Sequence, residues 1–165
     1  MSSSQVLLFV IVGKNEPLYE AEFHKAGTAG SSDSVTRQNY FVLHSALDLV
    51  EKAAWTTNQM YLKVVDKVCL FDILLSRIFM ALIYNYFSSL DQVNQQQVST
   101  FLTAGNIKFM LLHGGRSEDS IKSFFSDVYE LYVKLSMNPF YRYDTPITSK
   151  SFDTRVRAVA RRYLA

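Results

Sequence analysis

Between residues 118 and 137 the apolar side chains fall at Ile121, Phe124, Phe125, Val128, Leu131, Tyr132 and Leu135, the i, i+3, i+4, i+7 spacing of one helix face. Gly114-Gly115 and an N-cap at Ser117 mark its start, and Glu118 and Asp119 place negative charge on the positive end of the helix dipole. Asn138-Pro139 marks its stop, since Asn tolerates a left-handed cap and proline cannot continue a helix. So broad a stripe needs a flat apolar partner, and the rest of the chain predicts a sheet.

Residues 6–12 (VLLFVIV) form a continuous apolar run of strand length. Continuity instead of alternation means both faces are covered, so this is a central strand. After turn chemistry at 13–17, residues 18–23 alternate, with Tyr19, Ala21 and Phe23 opposing Glu20 and Glu22, and give a hairpin partner. Residues 25–34 are Gly/Ser-rich and read as a loop. A helical period returns over 34–54 at Tyr40, Leu43, His44, Leu47, Val50 and Ala54. Phe41, Val42 and Leu49 widen it, which predicts a helix buried over much of its girth. Residues 60–66 alternate as a third strand. Residues 98–103 and 107–113 are two more, joined by a tight turn at Ala104-Gly105-Asn106. A last helix, 151–164, carries a narrower stripe of Phe152, Val156, Val159 and Tyr163. The order β-β-α-β-β-β-α-α places antiparallel strands in one mixed α/β (α+β) domain, with one helix on one sheet face and two on the other.

Composition changes this picture little. The chain has 165 residues, 48% apolar and 19% charged, with net charge +2, values that point to neither nucleic acid nor a strongly acidic substrate. Cys69 is the single cysteine, which excludes an intramolecular disulfide and a thiolate metal cluster and fits a reducing compartment. The N-terminal apolar run lacks the positive flank and small-residue cleavage site of a signal peptide. His24, His44 and His113 are not at metal-ligand spacing, and the buried-stripe position of His44 and the strand end at His113 read as structural. Gly114-Gly115-Arg116 precedes a helix but lacks a Walker lysine or a GxGxxG pattern, so it reads as a turn. Arg155, Arg157, Arg161 and Arg162 give the last helix a basic face, ordinarily a solvated one, with an anion- or membrane-facing role as the other reading. Asn138-Pro139-Phe140 looks like a short adaptor-binding tripeptide; its expected work is to end a helix and anchor the next loop. No cofactor, metal or catalytic constellation is predicted.

Several runs, in order along the chain, resemble the sedlin family of small longin-fold subunits of TRAPP vesicle-tethering complexes. They are FVIVG (9–13), HSALDLVE (44–51), MYLKVVDK (60–67), TAGNIKFMLLH (103–113), IKSFFSDVYELYVKLSMNPFY (121–141) and SFDTRVRAVARRYL (151–164). The resemblance implies a longin/profilin-like five-stranded antiparallel sheet with three helices. It also implies a non-catalytic adaptor in endoplasmic reticulum-to-Golgi transport, cytoplasmic and peripheral at those membranes through its complex. Its partners would be other TRAPP subunits and, indirectly, a Rab-type GTPase. Because the family uses its surface for subunit contacts, Asp48, in the otherwise apolar ALDLV, and its neighbours Leu49 and Glu51 become interface candidates. A different reading is a longin-domain trafficking protein that binds a SNARE or membrane lipid directly through the basic last helix.

One block, 68–92 (VCLFDILLSRIFMALIYNYFSSLDQ), has no counterpart in the family. Excising it removes 25 of the 165 residues, and the remaining 140 align with the family without a gap. Codons available at both junctions obey splice consensus, so the block reads as a retained intron, a gene-model error or a real inserted helix interrupting a single domain. Sixteen of the twenty residues in 68–87 are apolar, near spanning length. Asp72 and Arg77 each cost about 2.5–3.5 kcal/mol at a bilayer centre, which argues against a span.

Overall fold

The first strand, β1 (Leu7–Val12), is buried along its whole length because it is covered twice. Leu7, Phe9 and Ile11 enter one core, and Leu8 and Val10 enter another on the opposite sheet face, the period-2 consequence of a continuous apolar run. The computed structural model describes residues 7–14, 16–23, 33–56, 60–67 and 96–164. The other elements are β2 (Pro17–Phe23), α1 (Asp33–Thr56), β3 (Tyr61–Lys67), β4 (Gln97–Leu102), β5 (Lys108–His113), α2 (Glu118–Ser136) and α3 (Lys150–Leu164). The segment 68–92, His24 and most of the 25–34 loop lie outside the described residues.

The sheet order is β2-β1-β5-β4-β3, and every neighbouring pair is antiparallel. A hairpin and a three-strand meander thus meet at the β1–β5 seam, where Val10 faces Met110. One face is covered by α2 and α3, the other by α1, as the hydrophobic periods predict. Under α2, Phe9 sits edge-on to Phe124 with ring centroids 5.2 Å apart, and Phe109 meets Tyr132 at 5.7 Å. Phe124 and Phe125 are fully buried, and each contributes about 2–3 kcal/mol by leaving water.

Three local expectations are corrected. Ser117 is the N-cap of α2, but its hydroxyl donates to Ser120 Oγ at 2.6 Å and makes no cap bond. Asn138 is not left-handed; Met137 ends the helix in right-handed geometry, and its N–H donates to the Val133 carbonyl. The stripe on α1 is narrower than its composition promised, since Phe41 is 70% exposed and His44 is also exposed. The inward residues are Val42, Leu43, Ala46 and Val50. At 3.6 residues per turn Phe41 lies about 200° from Leu43, on the far side of the helix.

Candidate functional site

The outward face of α1 follows from that correction. Arg37, Phe41, His44, Asp48, Glu51 and Trp55 are exposed at spacings of three and four, which is one helix face. Phe41 is 70% and Trp55 91% exposed, and Asp48 stands between them. Leu49 lies half-buried on the flank of this face. Glu51 is exposed but already occupied: its Oε1 accepts a hydrogen bond from Lys108 Nζ at 3.0 Å. Lys108 is a buried lysine on β5, so that ion pair fastens α1 to the sheet. Of the interface candidates, Asp48 and Glu51 lie on this face and Leu49 on its flank, while Phe41, expected in the core, joins them; the angular position of residue 41 on the helix separates the two placements.

The basic residues of α3 divide differently. Arg155, Arg157, Arg161 and Arg162 are all exposed. Arg157 is engaged, its Nε donating to both carboxylate oxygens of Asp153 at 2.9 and 3.0 Å and its Nη1 to the Glu22 carbonyl at 3.3 Å. Asp153 also accepts the Tyr19 hydroxyl at 2.7 Å. The Arg157 and Tyr19 hydrogen bonds hold the Asp153 carboxyl below the usual range, while burial and then Asp153 push the Tyr19 phenol upward. This cluster closes one side of a shallow groove of about 370 Å³ between β2 and the start of α3, lined by Leu18, Tyr19, Ile147 and Asp153 among others. With Asp153 committed to two structural partners, the cluster ties α3 to the sheet edge.

His113 is also structural. Its Nδ1 accepts the Arg116 N–H at 3.3 Å, so the ring proton sits on Nε2 and is donated to Ser99 Oγ at 2.9 Å. Burial, helped by the Arg116 charge, lowers its pKa to about 4. Gly115, at φ 73, makes the strand-to-helix turn that follows. Among the described residues no group of His, Cys, Asp and Glu is arranged to hold a metal, and no helix is long and apolar enough to cross a membrane.

The described residues thus form a longin-like mixed α/β domain in which Lys108–Glu51 and Tyr19–Asp153–Arg157 fasten helices to the sheet, and Phe41 and Trp55 stand exposed on α1. A family model described as Sedlin matches residues 10–80 and 71–162. The chain is 35% identical to the "Transport protein particle 20 kDa subunit" of Schizosaccharomyces pombe, over 94% of this chain and 96% of that one. It is 36% identical to the "Probable trafficking protein particle complex subunit 2" of Drosophila melanogaster, over 94% and 95% respectively. With the "Trafficking protein particle complex subunit 20" of Saccharomyces cerevisiae it shares 32% identity, over 95% and 97%. The chain belongs to the sedlin family.

Proposed function

We propose that the chain is a non-catalytic adaptor subunit of a TRAPP vesicle-tethering complex acting in endoplasmic reticulum-to-Golgi transport. It works on the cytoplasmic side, peripheral to those membranes, and reaches a Rab-type GTPase only through the assembled complex. The observation that carries this reading is the outward face of α1, where Phe41 and Trp55 flank Asp48. Large aromatics left in water beside a charge are the anchors from which protein interfaces draw most of their energy. Asp48 and Leu49 are direct contact candidates, and Glu51 acts through its bond to Lys108. The relatives named as trafficking-particle subunits support the same assignment.

The test is recovery of TRAPP subunits from native extract on the tagged chain. Asp48→Arg and Phe41→Ser, both on an exposed face, should each lower recovery about fivefold or more while the circular dichroism spectrum stays unchanged. Undiminished recovery with both variants would remove this face from the interface. The competing reading, direct SNARE or lipid binding through Arg155, Arg161 and Arg162, requires the lone domain to bind vesicles or a SNARE in their absence of TRAPP subunits.

A further inference from the structure

The tripeptide Asn138-Pro139-Phe140 has a geometry that helix termination does not account for. Asn138 and Pro139 do end α2: the Asn138 N–H donates to the Leu135 carbonyl at 3.1 Å, and proline cannot extend the helix. Phe140 takes no part in this. It is 92% exposed, and the preceding Met137 is 77% exposed. The loop beyond is anchored by other residues, with the Tyr141 hydroxyl donating to the Thr145 carbonyl and the Tyr143 hydroxyl to the Gly105 carbonyl, each at 2.9 Å. The Ile147 N–H completes the attachment by donating to the Leu18 carbonyl at 2.7 Å.

The turn itself is closed twice. The Tyr141 N–H donates to the Asn138 carbonyl at 3.0 Å, a β-turn with Pro139 and Phe140 as its central residues. The Phe140 N–H donates to Asn138 Oδ1 at 3.1 Å, so the asparagine side chain folds back over the same turn. The result is a doubly hydrogen-bonded loop tip, between a helix on one side and an anchored loop on the other, with the Phe140 ring exposed to water. A three-residue motif buries too little area to bind unless one aromatic anchor dominates and the ordering cost is already low. Both conditions are met here.

We propose that this turn is a docking element for an adaptor domain of the EH type, a small helical module with a pocket that receives the phenylalanine of an Asn-Pro-Phe tripeptide. Phe140 fills the socket, and Asn138 holds the turn that presents it. This contact uses none of the residues of the α1 face, and α1 covers the opposite side of the sheet from α2.

The test is titration of the full chain into an isotope-labelled EH domain, followed by nuclear magnetic resonance. Saturable shifts confined to the domain's aromatic pocket are expected. Phe140→Ala should weaken binding at least about 30-fold and Asn138→Ala about 5- to 10-fold, with the unfolding transition of the Phe140→Ala chain unchanged. A free peptide of residues 136–142 should bind more weakly than the folded chain, because it must be ordered on binding. Absence of a saturable shift up to about 1 mM chain would overturn the proposal. So would binding that survives Phe140→Ala, or a peptide that binds while the folded chain does not.

Discussion

Gly13 and Asp144 are matched across one end of the sheet. A methyl group on Gly13 would lie 1.9 Å from Asp144 Oδ1 and 3.1 Å from Leu18 Cδ2. Asp144 is fixed there by a left-handed backbone, φ 60, and by accepting the Lys14 N–H at 3.1 Å. The turn between β1 and β2 and the loop between α2 and α3 are therefore fitted to each other through the one residue with no side chain to obstruct them.

Gly13→Ala should cost about 1–3 kcal/mol in urea unfolding, since the new methyl displaces the carboxylate and leaves the Lys14 N–H without it. Adding Asp144→Gly removes the obstructing oxygens and suits the left-handed backbone. The double variant should recover the part of the loss that comes from overlap with the carboxylate, but not the part that comes from the lost Lys14 hydrogen bond. Strictly additive losses would show that the two positions act independently.

His113 makes stability depend on pH. Its folded pKa, lowered to about 4, lies beneath the ordinary imidazole value of 6.5, so between these values the unfolded chain binds more protons than the folded one. Stability therefore rises with pH across that window. The contribution is fully present above about pH 6.5 and is lost as pH falls through 4. It amounts to roughly 3 kcal/mol at about 1.4 kcal/mol per pH unit. His113→Gln should flatten the pH 4–6.5 slope of the unfolding free energy, and an unchanged slope would place the titration elsewhere.

Lys108 and Glu51 give an asymmetric pair of outcomes. Lys108 is buried and Glu51 largely exposed, so removing the carboxylate strands an ammonium at the α1–sheet contact. Glu51→Ala should cost about 1–3 kcal/mol, with solvent screening at Glu51 keeping it below the range for a fully buried pair. Lys108→Met should be near neutral, because it removes the buried charge together with its need for a partner. Thermal melts of both variants decide this. Partner recovery with Glu51→Ala must be compared at equal folded fraction.

The architecture was legible wherever one residue type had one consequence. A continuous apolar run meant two covered faces for β1, and the seven-residue stripe of α2 meant a broad contact, with Phe124 and Phe125 buried as that spacing requires. The site was less legible. Phe41 is chemically the same as a core phenylalanine and differs only in its angle on α1, which a count of apolar residues does not register. His44 was misplaced for the same reason. The bonds of Lys108 to Glu51 and of Tyr19 to Asp153 join residues far apart in sequence. They depend on the β1–β5 seam and on where α3 docks, which no local pattern specifies.

Residues 68–92 are proposed as foreign to the family fold. Lys67 and Gln97 are paired across antiparallel β3 and β4. Joining Lys67 to Val93 leaves four residues, 93–96, before β4, a common hairpin loop length. Both sheet faces are already covered, by α1 and by α2 with α3, so the described domain offers little core surface to receive so apolar a segment. Apolar surface left without a partner promotes aggregation. The version joined at Lys67–Val93 should therefore be more soluble than the full chain and at least as stable in a thermal melt. Equal solubility with a lower melting temperature would mean that the block packs as a genuine helix, and recovery of the full chain only in detergent would mean that it enters a membrane.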